Sequence, residues 1–394
     1  MIRKVLKICC SEWKNASRDK RELSVYRELG ADVLVMAKGK PKDCYQEDSV
    51  DGFDVFRFST RPLGPRIPNI INRTISVFTW AHYAQKFNAD VISGHDLAGL
   101  LIGHLSNIGL RKNRRAKMIY DSHEFELGRV AGRSKAKLWL IKQLEKFLMK
   151  RCAFSIMVNE NIADEVQRIH RLKQQPIVVR STPNYWELNA EVIAITRLEM
   201  CRAMGVPEDT FLVMHHGGVI PQKNIEVFVD AVSRNPHIAG IVLGNVSSES
   251  YLKQLKKRAE DLGVSGRILF HPAVSIEELY RYIGAVDVGM ILHKNFAKNA
   301  EYSLPNKFFE NIQSLTPLIS TNTLVLREYI RQYGIGLTVD VTKTVEIDVA
   351  IERMRTDKKL YQKFKTNLKI AKEELCWEKE KEILKHAMIK RFTE

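Results

Sequence analysis

Lys307 and Glu310 stand three residues apart in EYSLPNKFFENIQSLTPLIS, residues 301–320. On a helix that spacing puts a cation and a carboxylate on one face, shared with Ser314. Phe308, Ile312 and Leu315, at i, i+4 and i+7, mark a separate apolar stripe. Pro305 suits the first turn, where its missing N–H costs nothing. Backbone amides at Asn306 and Lys307 can then receive a phosphate, with Lys307 adding charge. Glu310, a turn deeper, can accept hydrogen bonds from vicinal hydroxyls such as a ribose presents. A surface Lys–Glu pair, worth roughly a few tenths of a kcal/mol, is the competing reading, and the apolar flanks weigh against it.

A second constellation is HHGGVIPQKNIEVFVDAV, residues 215–232. A strand ends in Gly217 and Gly218, and a loop carrying Lys223 opens a helix near Asn224. Glycines let amides approach a phosphate, the helix start adds partial positive charge, and Lys223 supplies a point charge. The pattern is neither a Walker loop nor a dinucleotide fingerprint, so alone it is equally an ordinary strand-to-helix turn. In MIYDSHEFE, residues 118–126, strand alternation sends Asp121 and His123 to one side. His95 and Asp96 of SGHDLAGLL read as caps of the following helix. ASRDKRELSVYRELG, residues 16–30, places Asp19 in a first helical turn between Arg18 and Arg21, with Arg21 directed towards an inter-domain space. No Asp-x-Asp and no metal-ligand spacing occurs, so no metal is expected.

Strand-like runs separated by helices position these groups. VLKICC, DVLVMAK, DVFRFS, DVISGH, AKMIYDSH and FSIMVN fill the first half, with helical stretches at 19–29 and 134–151. TFLVMHHGG, IAGIVLGN, RILFHPA, DVGMILH, TPLIST and IGLTVD fill the second, and charged helical sequence follows residue 345. Such alternation predicts two α/β domains on parallel sheets. Ligands bind beyond the carboxyl ends of such strands, where the chemistry-bearing residues gather.

The chain has 394 residues, room for two domains, and no apolar run long enough to span a bilayer. Its net charge of +16 is uneven: residues 1–190 hold 33 Lys/Arg against 20 Asp/Glu, and the remainder 29 against 26. The basic half predicts an anionic partner. GRSKAKLWLIKQLEKFLMKRCAF, residues 132–154, reads as an amphipathic basic helix that packs on the sheet or meets an anionic membrane. Six cysteines without a paired spacing read as reduced packing residues of a cytoplasmic protein.

In order and spacing, SRDKREL, DVISGHDL, MIYDSHEFE, CAFSIMVNENIADEV, GGVIPQKNIE, FHPAVSIEELYRYIGAVDVGMIL and LPNKFFENIQSLTPLIS resemble glycosyltransferase family 4, retaining nucleotide-sugar enzymes of the GT-B fold. The resemblance implies two Rossmann-like parallel-sheet domains facing each other across a cleft. Residues 1–190 would bind the acceptor, 191–375 the donor, and 376–394 would form a C-terminal helix crossing back. It implies transfer of a hexosyl or N-acetylhexosaminyl group from a UDP- or GDP-linked sugar to a saccharide or polyprenyl-diphosphate-linked acceptor. The setting implied is bacterial surface polysaccharide assembly, at the inner face of the cytoplasmic membrane, with no cofactor beyond the donor. Lys223 would bind the donor diphosphate along with Gly217, Gly218, Pro305, Asn306 and Lys307. Glu310 would hold the ribose, the backbone around Val274 the base, and His123 would lie against the donor sugar.

Two departures bear on catalysis. The family often carries Arg where this chain has Gly218, so Lys223, with Lys307 or Arg21, supplies the charge. The family's first acid would fall at Tyr302, and Glu301, one place away, stands in for it. The catalytic set is therefore His123, Glu301 and Arg21. A nucleotide-sugar epimerase of the same fold is one alternative, and a non-catalytic nucleic-acid or membrane-binding protein another. RKNRRAK, residues 111–117, lacks interleaved aromatics, so no nucleic acid is expected.

Overall fold

The computed structural model describes residues 2–13, 17–40, 46–129, 132, 134–294 and 298–392. Cys44 lies outside them; the other five cysteines are free thiols. The chain forms two compact units, Met1–Ser181 with Glu380–Glu394, and Thr182–Lys379.

The first unit is built on eight strands: β1 (Lys4–Cys9), β2 (Asp32–Lys38), β3 (Gln46–Val50), β4 (Phe53–Phe58), β5 (Val91–His95), β6 (Lys117–Asp121), β7 (Phe154–Met157) and β8 (Ile177–Val178). Their order in the sheet is β3-β4-β2-β1-β5-β6-β7-β8. β1 pairs in parallel on both sides, Leu6 with Leu34 of β2 and with Ile92 of β5. A strand so flanked is covered on both faces, which is why the central strands read as nearly unbroken apolar runs. β3, antiparallel to β4, and the two-residue β8 escape sequence reading. One is polar and at an edge, the other shorter than any periodicity. Helices α1 (Ser17–Glu28), α2 (Asn69–Lys86), α3 (Asp96–Ser106) and α4 (Lys135–Met149) belong to this unit.

The second unit holds β9 (Phe211–His216), β10 (Ile238–Gly244), β11 (Ile268–Pro272), β12 (Val288–Ile291), β13 (Leu318–Thr321) and β14 (Gly336–Val339), in the order β11-β10-β9-β12-β13-β14. All are parallel, with Val213 of β9 opposite Gly240 and Val288. Phe228, Val242 and Ile319 sit in the core over one part of the sheet, and Phe308, Ile312 and Leu326 in another. Truncating a core residue such as the fully buried Phe308 to Ala costs about 3–5 kcal/mol.

The boundary falls at 181/182 rather than 190/191, for a hydrogen-bonding reason. Trp377 N–H donates to Pro183 O at 2.8 Å, Lys372 Nζ to Trp186 O at 2.6 Å, and Tyr185 Oη to Glu373 at 3.0 Å, fastening residues 183–186 to the second unit. The final helix, Trp377–Phe392, joins the first unit from Glu380 onward instead of from 376. Buried Glu380 accepts from Arg180 N and Nη1, each at 2.7 Å, and Lys381 meets Glu28 at 2.6 Å.

Candidate functional site

At the carboxyl end of β9 the chain turns through Gly217, whose φ of +107° only glycine adopts without strain. A Cβ on Gly244, at the end of neighbouring β10, would lie 1.7 Å from Gly217 O, so that strand must also end in glycine. A Cβ on Gly218 would meet nothing within 4 Å, so this backbone is open to a ligand. Pro221–Lys223 forms one 3-10 turn, and Asn224, at φ +57°, redirects the chain into the helix Ile225–Arg234.

Lys307 opens the helix Asn306–Gln313, and Pro305 occupies its N-cap position. Lys307 is buried, and the ideal Cβ position of Gly217 falls 3.6 Å from its Nζ. Burial, then the charge of Lys223, pushes the Lys307 ammonium down to about 7, with Glu310 opposing. Burial also lowers Lys223. His293, just past β12, is pushed down to about 4 by burial and by both lysines. His215 is held well below its ordinary value by burial, then by Lys307 and His216. His215 Nε2, His293 Nε2 and both side-chain polar atoms of Asn224 are buried without partners. Around Lys307 the cations outnumber the acid that acts on it, Glu310, an arrangement that an oxyanion fits.

Glu310 is oriented by a residue that sequence reading passed over: His216 Nε2 donates to Glu310 Oε2 at 3.0 Å. Its signal was the second His of the HHGG run. Glu301, the acid expected to meet the donor sugar, makes a local bond. Its Oε2 accepts from Leu324 N at 2.9 Å, capping the helix Leu324–Tyr333, and Tyr302 packs against the Phe308 core. Val274 is half-buried against the core cluster that includes Met200 and Tyr282, between β11 and the helix Ile276–Gly284.

The first unit gathers a second cluster at the carboxyl edge of β1, β5 and β6. At its centre is Lys7, 0% exposed, with Nζ 2.6 Å from Glu22 Oε2, 2.6 Å from Asp121 Oδ2 and 3.0 Å from Asp19 Oδ1. Arg18 reaches Asp121 Oδ1 at 3.0 Å and Val179 O at 2.7 Å. Burial pulls the Lys7 ammonium down, but Asp121, Glu22 and Asp19 raise it well above its ordinary value. Burial likewise opposes ionisation of Asp121, yet Lys7, His123 and Arg18 hold it well below the usual carboxylate range. Glu22 is pushed up to about 7 by burial and by Asp121.

His123 Nε2 lies 2.8 Å from Asp121 Oδ2. An ionised carboxylate only accepts, so Nε2 carries the proton and Nδ1 is the bare nitrogen. Burial keeps this imidazole below its ordinary pKa. His95 lies tilted against it, ring centroids 3.9 Å apart, and bonds Asp19 at 3.1 Å. The expected capping of α3 by His95 and Asp96 does not form: His95 makes no cap hydrogen bond, and Asp96 accepts from His123 N and Arg129 Nη1. Ligand atoms of Asp19, His95, Asp121 and His123 fall within 4.8 Å of one another, close enough to share one metal ion. The Lys7 ammonium already bonds two of these carboxylates, so the cluster carries its own cation. Arg21 lies half-buried on α1, next to Glu22. Lys7 and Glu22 were missed by sequence reading; a lysine inside an otherwise apolar two-sided strand was the available signal.

Comparison with known proteins bears on both units. Residues 23–183 match the model of glycosyltransferase family 4, and residues 197–370 that of glycosyl transferases group 1. A lipopolysaccharide core biosynthesis glycosyltransferase, LpsE of Rhizobium meliloti, is 28% identical over 169 residues, 43% of this chain and 45% of that protein. An uncharacterized glycosyltransferase of Methanocaldococcus jannaschii is 23% identical over 340 residues, 83% of this chain and 81% of the relative. Among solved structures, Anabaena HepE in complex with UDP superposes with a TM-score of 0.75 at 14% identity, covering 99% of each chain, a likeness of fold.

Proposed function

We propose, from the premise that this chain is a GT-B glycosyltransferase resembling family 4, that its second unit binds the diphosphate of a nucleotide sugar and its first unit binds the acceptor. One observation carries the reading: Lys307 lies against the Gly217 turn and feels the charge of Lys223, with Glu310 as the acid acting on it, so the site is short of negative charge. A departing diphosphate supplies that charge. Fixed cations and amides stabilise it as the glycosidic bond breaks, which lowers the barrier by electrostatics and needs no covalent step.

Glu310, held by His216, takes the ribose hydroxyls, and the backbone near Val274 the base. Glu301, whose Oε2 caps a helix, is the candidate acid for the sugar hydroxyls, and by family resemblance His123, with Nδ1 bare, lies against the donor sugar. By family resemblance the anomeric configuration is retained and the leaving phosphate helps deprotonate the acceptor. A UDP-linked donor is the first to test, since HepE, of the same fold, binds UDP. Likeness to LpsE supports a saccharide acceptor in surface polysaccharide assembly.

The test is thermal shift with UDP- and GDP-sugars, followed by transfer of radiolabelled sugar into a membrane extract. Stabilisation by one donor that disappears in Lys223→Ala is expected. Stabilisation by none, or equal stabilisation of Lys223→Ala, removes the donor-site assignment.

A further inference from the structure

At the opposite edge of the first sheet from His95 and His123 lies a cavity of about 1070 Å³. Residues 149–155 run from α4 into β7, and residues 171–177 from the helix Glu160–His170 into β8, so the hollow sits at the amino ends of two parallel strands. Its remaining wall is the final helix, Trp377–Phe392, between Glu382 and Arg391, and every described lining residue belongs to the first unit. Parallel sheets present their transfer chemistry at the carboxyl edge, so the proposed reaction makes no use of this hollow.

The final helix docks through one stripe and gives the neighbouring stripe to the cavity. Leu384, Met388 and Phe392, at i, i+4 and i+8, are buried. Ile383, Ala387 and Lys390, at i, i+4 and i+7, line the cavity, and Ile383 stays 41% exposed. Met149, Phe154, Leu172 and Ile177 complete an apolar wall. Protein interiors close such spaces to the size of a water or less, so a hollow this large with aliphatic walls has room for a ligand.

Charge tells which ligand. Among the described lining residues, Lys150, Arg171, Lys173, Lys390 and Arg391 stand with one acid, Glu382. Within the described residues none of Lys150, Arg171, Lys173 and Lys390 is ion-paired, and Arg391 donates from Nη2 to the neutral Gln174 Oε1 at 2.5 Å. Arg171 closes the helix Glu160–His170 at φ +51°, a left-handed position where glycine is the least costly residue. An arginine there accepts backbone strain and brings a charge to the cavity. Apolar walls with unanswered cations fit an anion that carries an aliphatic body.

We propose that this hollow is a second binding site, for a small amphiphilic anion. Its aliphatic body lies against Phe154, Leu172 and Ile383, and its terminal oxyanion is met by the lining cations, Arg171 and Lys390 among them. A ligand so placed bridges the amino ends of β7 and β8 to the final helix and fastens residues 382–391 to the first unit. The site is independent of the nucleotide-sugar pocket.

The test is titration calorimetry of the full chain with decanoate and with decyl phosphate, each below its critical micelle concentration. Decanol and acetate serve as the apolar body and the anion alone. Saturable binding of either amphiphile upholds the site, and the tighter of the two names the oxyanion. At a ligand concentration about ten times the dissociation constant, hydrogen exchange of residues 382–391 should slow about tenfold. Arg171→Gly with Lys390→Ala should weaken binding about tenfold or more with no fall in melting temperature, since glycine relieves the left-handed residue and Lys390 is exposed. Ile383→Trp should fill the hollow and block binding at an unchanged or higher melting temperature. Lys223→Ala should bind the amphiphile like wild type. A chain that takes the amphiphile but no nucleotide sugar would sink the donor reading and leave this site standing. Absence of saturable binding in the wild type, binding that survives both cavity variants, decanol or acetate binding as tightly as decanoate, or loss of binding in Lys223→Ala overturns the proposal.

Discussion

Each unit ends its central strands in a cluster of buried ionisable groups, and the two clusters balance their charge differently. In the first unit Lys7 and Arg18 are answered by Asp19, Glu22 and Asp121, all within hydrogen-bonding distance. In the second, Lys223 and Lys307 have Glu310 as the acid that shapes their pocket, and two neighbouring imidazoles are driven neutral. A lattice that closes on itself holds a fold together. One left short of countercharge costs stability until an anion arrives.

The comparison breaks first, and by the largest amount, at Asp121. Asp121→Ala takes from buried Arg18 its Asp121 carboxylate and leaves Lys7 with Glu22 and Asp19, which costs about 3–5 kcal/mol. Denaturant unfolding followed by a first-unit probe such as Trp80 fluorescence should show that unit melting early; an unchanged midpoint would mean the lattice does not hold the fold. Lys223→Ala should do the reverse, lowering turnover by about 10²–10³ with the melting midpoint intact. Steady-state kinetics beside calorimetry separates the two outcomes, and loss of stability without loss of turnover would reverse the assignment. Lys307→Met should stabilise the ligand-free chain by roughly 1–2 kcal/mol, because a desolvated ammonium is replaced by an isosteric apolar chain, while nucleotide-sugar affinity falls.

His216→Ala tests finer positioning. Without the 3.0 Å bond Glu310 turns freely, and donor affinity should fall about tenfold. Restoration by His216→Gln, which keeps a donor, distinguishes orientation from packing. An unchanged donor affinity in His216→Ala would show that Glu310 is held by other means.

These clusters were unequally legible in the sequence. The carboxyl edge of both sheets could be read from where apolar runs stop, and Lys223, Lys307 and Glu310 stand out because charge interrupts a glycine turn and an apolar helix. Lys7 does not stand out in the same way. Its partners are 12, 15 and 114 positions away, and strand periodicity reports which face a residue takes, with no word on what meets it there. Glu301 is the converse case: its place one position from a family acid is legible, while the bond from its carboxylate to Leu324 N is not.

The smallest effect is the most specific to the Lys223–Lys307 cluster. In the free chain burial and Lys223 hold Lys307 near 7, against an ordinary 10.5. Between those values the unfolded chain binds more protons at this site than the folded one, so the contribution of Lys307 to stability rises as pH climbs from about 7 towards 10. A bound diphosphate acts oppositely on the ammonium, favouring its charged form and raising its pKa. Nucleotide-sugar binding at pH 8 must therefore draw in a proton, and affinity must decline as pH rises above 7. Titration calorimetry in buffers of different ionisation enthalpy measures that uptake directly. Lys307→Met should abolish it, and Asp121→Asn, in the self-neutralised cluster, should leave it untouched. Binding without proton uptake in the wild type would mean that Lys307 is already charged, and the contrast between an answered and an unanswered cluster would fail at its most exposed point.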